Sequence, residues 1–391
     1  IRSLKGNPFD ALKELMEKYK TEDNGTIPFQ GGAVGYFGYD MGHHIEKLPR
    51  TAIDEVRIPD CCFGFYDGVI AIDHQTKDTY IIANGMKEKP ETLIEDIKIK
   101  ISNLTESSFV KKQGIVCSEI QSNFEKEDYL KAVQSIKDYI RAGDIYQANL
   151  TQRFKCDTAE APFSIYSRLR QLNPAPFACY MNFAEGHILS SSPERFLKIN
   201  NNIIETRPIK GTRPRGRTDE EDKANKEELL SSEKDKSELL MIVDLERNDL
   251  GKVSKTATVK VPELFYPEEY ATVHHLVASV TGEKQDGLEA IDVIKAAFPG
   301  GSITGAPKIR SMEIIDELEP TQRNIYTGSI GYLGFNGSVD LNIAIRTIVM
   351  KDGTAYFQVG GGIVWDSDPE LEYEETLHKA RALFRTLRNE K

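Results

Sequence analysis

The chain has 391 residues, 39% of them hydrophobic, and a formal net charge of -11. That length buries a large core. The acidic balance argues against a nucleic-acid-binding surface, and no apolar run approaches the roughly 18 residues of a membrane-spanning helix. Cys61, Cys62, Cys117, Cys156 and Cys179 are odd in number and lack C-x-x-C spacing, so reduced thiols in a cytoplasmic protein are expected. The pairs His43-His44 and His274-His275 have no cysteines nearby to complete a metal site. Because the first residue is Ile1, an upstream segment is expected.

Residues 8–20 place Phe9, Leu12, Leu15, Met16 and Tyr19 at helical spacing. The run Gly31-Gly-Ala-Val-Gly-Tyr-Phe-Gly-Tyr-Asp40 follows. It returns in approximate form as Thr327-Gly-Ser-Ile-Gly-Tyr-Leu-Gly-Phe-Asn336, which predicts two related sheet segments facing one another. The glycines are not spaced as G-x-G-x-x-G and open no helix, which excludes a dinucleotide fingerprint. Strand-like runs at 63–73 and 78–83 precede a charged helix at 90–104 and a polar connection. A boundary near 120 then divides an N-terminal subdomain, 1–119, from a second domain, 120–391. Residues 129–142 form an amphipathic helix stopped by Gly143, and 144–154 read as a strand.

Phe196–Ile199 and Ile203–Thr206 flank Asn200-Asn-Asn202, a hairpin signal. This hairpin brings Glu194, just before it, close to Lys210, just after it. Lys210 sits in Arg207-Pro-Ile-Lys-Gly-Thr-Arg-Pro-Arg-Gly-Arg217, whose two prolines predict an ordered loop. A solvated basic loop would look the same, but no aromatic interleaves with the charges and Asp219-Glu-Glu-Asp222 would repel phosphates. Residues 223–247 read as one long helix carrying Asp235 and Glu238, and 287–298 as another. Pro299-Gly-Gly-Ser-Ile-Thr-Gly-Ala-Pro-Lys308 departs from a Walker loop and reads as a glycine-rich turn into a helix begun by Pro307, whose free amides suit a carboxylate.

Near the end, a strand 355–359 runs into Gly360-Gly-Gly362, where bare backbone can approach a ligand. Asp368 caps a final helix with apolar Leu371, Leu377, Ala380, Leu383, Phe384 and Leu387. Glu372, Glu375 and Lys379 share one face of it. Two carboxylates at a helix N-terminus suit magnesium, and they would equally form a surface salt-bridge face.

Ser190-Ser-Ser-Pro-Glu-Arg-Phe196 and Pro208-Ile-Lys-Gly-Thr212 together resemble the signature of the chorismate-utilising enzymes. The resemblance covers nearly the whole chain. It implies an α+β fold of two face-packed β-sheets with helices outside, and makes 120–391 the chorismate-binding catalytic domain. Members of the family that make 4-amino-4-deoxychorismate, towards 4-aminobenzoate and folate, carry lysine where this chain has Lys210, whereas anthranilate-forming members carry alanine. Gln147 stands where water-adding isochorismate and salicylate synthases carry a lysine base, which speaks against water as nucleophile.

The resemblance further implies Lys210 as nucleophile and Glu194 as general acid, later base. It implies Mg²⁺ on Glu238 and Glu375, with Glu372 and Asp235 outside them. The substrate would be held by Arg346, Tyr326, Lys379 and the amides of Gly361 and Gly362, with His275, Ser302 and Gln147 in the same pocket. Neutral Lys210 is expected to depend on desolvation and Arg213. No cysteine has a Gly-x-Cys-x-Gly setting, so ammonia is expected from a glutamine amidotransferase partner. A non-catalytic chorismate-binding subunit is the alternative of another class, and it would need neither acid nor nucleophile.

Overall fold

The computed structural model describes residues 5–22, 25, 27–104, 117–270 and 273–390. In chain order, α1 (Pro8–Lys18) leads to β1 (Gly32–Phe37), β2 (Cys61–Tyr66), β3 (Gly68–Ile72), β4 (Thr79–Ala83) and α2 (Pro90–Ser102). There follow β5 (Gln121–Ser122), α3 (Lys126–Ala142), β6 (Gln147–Asp157), α4 (Pro162–Leu172), β7 (Phe177–Phe183) and β8 (Gly186–Ser192). The hairpin region supplies β9 (Arg195–Asn200), β10 (Ile203–Arg207) and β11 (Ile209–Pro214), then α5 (Asp219–Ser231) and α6 (Glu233–Gly251). Next come β12 (Lys260–Glu269), β13 (Val273–Glu283), α7 (Ala290–Ala297), β14 (Gly305–Ala306) and α8 (Lys308–Leu318). The chain closes with β15 (Ser329–Gly334), β16 (Val339–Asn342), β17 (Thr347–Lys351), β18 (Thr354–Ile363) and α9 (Pro369–Arg388).

Among the described residues, nine strands make one sheet in the order β11-β13-β10-β9-β16-β15-β1-β2, with β12 also on β13. Seven make a second, β14-β6-β18-β17-β8-β7 with β5 on β6, and β3-β4 form a separate pair. Tyr36 and Ile330 of the first sheet share a core with Ile188 and Val349 of the second, so the sheets pack face to face. Helices cover the outer faces. Phe9, Leu239, Val243 and Ile294 pack from α1, α6 and α7 onto the first sheet. Ile165, Leu169, Leu383 and Leu387 pack from α4 and α9 onto the second. Fully burying one such leucine is worth about 1.5–3 kcal/mol. The fold is the expected α+β class, and strands from both sides of residue 120 build its first sheet.

Four expectations change. The two glycine-rich segments do not face one another but are hydrogen-bonded neighbours, antiparallel, with Gly35 opposite Gly331. A Cβ on Gly32 would lie 2.1 Å from the Leu333 carbonyl oxygen of β15, and one on Gly35 2.0 Å from the Cys62 carbonyl oxygen of β2, so these glycines let β1 approach both neighbours. The run 63–73 is broken at Asp67, whose carboxylate accepts the amides of Asn84, Met86 and Lys87 at 3.2, 2.9 and 3.2 Å. The segment 223–247 is two helices, because the Ser232 side chain accepts the Asp235 amide at 3.2 Å and starts α6 afresh. Finally, the basic run is not a loop. Ile209–Pro214 is the edge strand β11, where a proline at its end costs no ladder bond, and its register shifts around Gly211. In α9 the Asp368 cap is present at 3.1 Å, but Leu371 is 70% exposed.

Candidate active site

A cavity of about 520 Å³ is walled by β11, the start of α6, the turn after α7, β18 and the first turns of α9. Lys210 enters it from β11. The bulge there depends on Gly211, at φ +77°, because a Cβ would fall 2.9 Å from the Asp235 side chain of α6. Glu194 enters from the turn before β9, 5% exposed, with the Ile209 amide 3.4 Å from its carboxylate. The Ser302 hydroxyl lies beside that carboxyl without aligned hydrogen-bond geometry.

Burial shifts the two groups in opposite directions. It pushes the Glu194 carboxyl above its ordinary range, against the opposing effects of Ser302 and Lys210. It pulls the Lys210 ammonium down, and the Lys379 charge adds to this while Glu238, Glu194 and Glu375 oppose it. A carboxyl shifted towards its protonated form, in the same cavity as an amine shifted towards its neutral form, is the pairing that general acid and nucleophilic catalysis use. Arg213 is instead ion-paired to Glu228 at 3.0 Å and Asp235 at 3.2 Å.

A second group of charges comes from α6 and α9. Burial raises the Glu238 and Glu372 carboxyls, with Glu375 adding repulsion to each. Glu372 accepts the Ser367 hydroxyl at 2.6 Å. For Glu375 burial also pushes upward, but Lys379 at 2.6 Å outweighs it and leaves the carboxylate below its ordinary range. Lys379 also donates to the Gly360 carbonyl at 2.9 Å. Clustered carboxylate oxygens short of positive charge fit a hard divalent cation, although no three metal-binding side chains among the described residues already converge on one point.

His275, Tyr326 and Arg346 line the same cavity. The His275 ring, pushed down to about 4 by burial, is neutral near pH 7 and pairs through Nδ1 with the Thr212 hydroxyl at 2.9 Å. Arg346 has φ +52°, a conformation costing a non-glycine residue about 1–3 kcal/mol, and it donates to the Lys379 carbonyl.

Residues 2–385 match the family described as chorismate binding enzyme. The chain belongs to the chorismate-binding enzymes. It is 44% identical to the anthranilate synthase component 1 of Acetivibrio thermocellus, over 99% of this chain and 81% of that one. It is 42% identical to the aminodeoxychorismate synthase component 1 of Escherichia coli K12, over 97% and 83%. The crystal structure of anthranilate synthase component I from Streptococcus pneumoniae TIGR4 superposes with a TM-score of 0.90 at 34% identity, covering 98% of this chain and 87% of that one.

Against that family membership, the cavity gathers Glu194, Lys210, Asp235, Glu238, His275, Ser302, Tyr326, Arg346, Gly362, Glu372, Glu375 and Lys379. Two expected residues stand behind its wall. Gln147 is 1% exposed and its Nε2 lies 2.1 Å from where a Gly362 Cβ would be. Gly361 is in β18 opposite Leu150, and a Cβ on it would point at Glu372, Glu375 and Lys379. Gly360–Gly362 continue the strand β18. Of the run 299–308 only Ser302 and Ile303 reach this cavity, while Pro307 and Lys308 line a separate one with Asp249. The sequence reading missed Asn149, Gln358, Thr212, Lys234 and His378 as lining residues. The usable signal for Gln358 was a polar residue in the largely apolar strand β18, whereas β6 carries too many polar residues for Asn149 to stand out. For Lys234 it was the i,i+4 spacing to Glu238.

Among the described residues no helix is long and apolar enough to cross a membrane. All five cysteines are unpaired.

Proposed function

We propose that the chain aminates chorismate to 4-amino-4-deoxychorismate, as an aminodeoxychorismate synthase component 1. The observation that carries this reading is Lys210, an amine whose charge burial disfavours, in one cavity with the protonatable Glu194. The Lys210 amine attacks C2 of the ring while the C4–O bond breaks, and Glu194 gives its proton to the departing hydroxyl, which leaves as water. Ammonia then attacks C4, the C2–N bond to Lys210 breaks, and Glu194 takes a proton from the entering amine.

Arg346, Lys379 and the backbone of β18 hold the two substrate carboxylates, with a guanidinium fork preferred for such anions. Glu238 and Glu375 hold Mg²⁺, with Glu372 and Asp235 outside them, and the ion supplies charge neutralisation and polarisation at the substrate carboxylate. Ammonia comes from a glutamine amidotransferase subunit, in keeping with the component 1 designation of the relatives.

A second reading, anthranilate synthesis, is favoured by the 44% identical relative of that name. In it ammonia attacks C2 directly as the C4 hydroxyl leaves as water, and pyruvate is then eliminated to give the aromatic ring. The two are separated by incubating chorismate with the protein, Mg²⁺ and excess ammonium, then resolving products by mass. A product with NH₂ in place of OH that keeps the enolpyruvyl group is expected. Anthranilate with released pyruvate would replace the first reading by the second.

A further inference from the structure

We propose that Arg323, clamped by Glu319, is a positioning residue that sets the floor of the chorismate cavity. The inference rests on the cavity being the reaction site. Neither residue lines it. Arg323 is 2% exposed and Glu319 3%.

A guanidinium has five N–H donors in a planar fork. Here five donated bonds leave it. Nε and Nη2 reach the two Glu319 oxygens at 2.9 and 2.7 Å. Nη1 reaches the Ile303 carbonyl at 3.0 Å and the Thr327 hydroxyl at 3.3 Å, and Nη2 also reaches the Asn149 carbonyl at 2.6 Å. Ile303 and Asn149 both line the cavity and belong to different segments, the turn after α7 and strand β6. The Asn149 side chain reinforces the same junction, donating to Ile303 O at 3.1 Å. One buried cation therefore fixes the spacing between the strand floor and the turn that carries Ser302 beside Glu194.

Glu319 extends the grip. Its Oε1 accepts the Thr151 amide at 3.0 Å and hydroxyl at 2.8 Å, and that hydroxyl also accepts Gln358 Nε2 at 3.4 Å. Gln358 is again a lining residue. Taking two charges out of water is costly, and an apolar pair of similar volume is commonly as stable. What an apolar pair lacks is the ability to hold two carbonyls at one separation. Lysine lacks it too, since its three donors radiate from a single atom.

The test measures melting temperature together with kcat and KM for chorismate consumption with ammonium, well below the melting point. Arg323→Lys keeps the charge beside Glu319, and the double variant Arg323→Met with Glu319→Leu removes both charges. In each, kcat is expected to fall about 10- to 100-fold, as for a small misplacement of reacting groups. KM should change less than about threefold and circular dichroism should remain that of the wild type. Wild-type kcat in folded variants would overturn the positioning role, as would a rise in KM alone or a loss that merely tracks the unfolded fraction. If the double variant does not fold, Arg323→Lys decides. A wild-type protein that consumes no chorismate would instead overturn the functional reading beneath it.

Discussion

The two sides of the cavity are built to different standards. The Glu194–Ser302 side is buried and pinned, with Glu194 and Ser302 each 5% exposed and the turn behind them tied to Arg323. The α6–α9 side is open, since the Glu375 side chain is 47% exposed, that of Lys234 70%, and the Lys234–Glu238 pair is separated by 3.9 Å. The backbone of the first side is held by buried protein groups, whereas the second keeps several carboxylates facing one another with few cations. The difference matches the proposed division, with bond-making on the rigid side and charge-neutralising ligands on the loose one.

The largest break in this comparison is expected from Lys210→Ala, which removes the proposed nucleophile. Formation of 4-amino-4-deoxychorismate should fall by about 10³-fold or more, and excess ammonium should not restore it. Unchanged product formation in that variant would remove the covalent step from the mechanism. Glu194→Gln comes next, with a loss of about 10²–10⁴-fold in kcat, the usual worth of a positioned acid. Its melting temperature at pH 8 should not fall, because a buried carboxyl with a raised pKa resists ionisation and the amide does not ionise. A destabilised but active Glu194→Gln protein would reverse both expectations.

The rigid side was also the more legible in sequence. The Asn200-Asn-Asn202 turn, with Asn201 at φ +48° and Asn202 at +65°, announced the hairpin that delivers Glu194 and Lys210. The strand character of β11 was hidden because Pro208 and Pro214 look like loop residues, and only the edge position makes them harmless. The break at Ser232 was visible as a Ser-x-x-Asp cap but lay in a stretch of unbroken helical charge. Arg323 and Glu319 left little sign of their role, since charged residues just past the end of α8 read as surface until tertiary packing buries them.

A third prediction sharpens the contrast between buried and open carboxyls. Glu246 of α6 is 3% exposed, and burial pushes it up to about 7, with Asp249 and Glu194 adding to the shift and Lys308 and the Thr206 hydroxyl opposing it. An unfolded glutamate titrates near 4.3, so its stabilising contribution is full below about pH 4.3 and is lost as pH rises through 7. Glu246→Gln should therefore melt increasingly above the wild type between pH 5 and pH 8, by up to about 3 kcal/mol of stability. Parallel melting curves across that range would mean that Glu246 stays ionised in the folded state.

The smallest effect tests the open side. Lys234 is a single ammonium on the first turn of α6, 3.9 Å from Glu238, and its charge also favours ionised Glu372 and Glu375. It therefore opposes any cation that these three carboxylates share. An exposed ion pair is worth about 0.2–1 kcal/mol, which corresponds to about 1.5- to 5-fold in a dissociation constant. Lys234→Met should tighten Mg²⁺ binding by that factor in calorimetric titration. Lys236→Met is the control, because Lys236 pairs with Glu233 at 3.0 Å. Equal tightening in both variants would reduce the effect to net charge. Weaker binding in Lys234→Met would mean that the lysine organises the carboxylates instead of competing for them, and the open side would then be less open than its exposure implies.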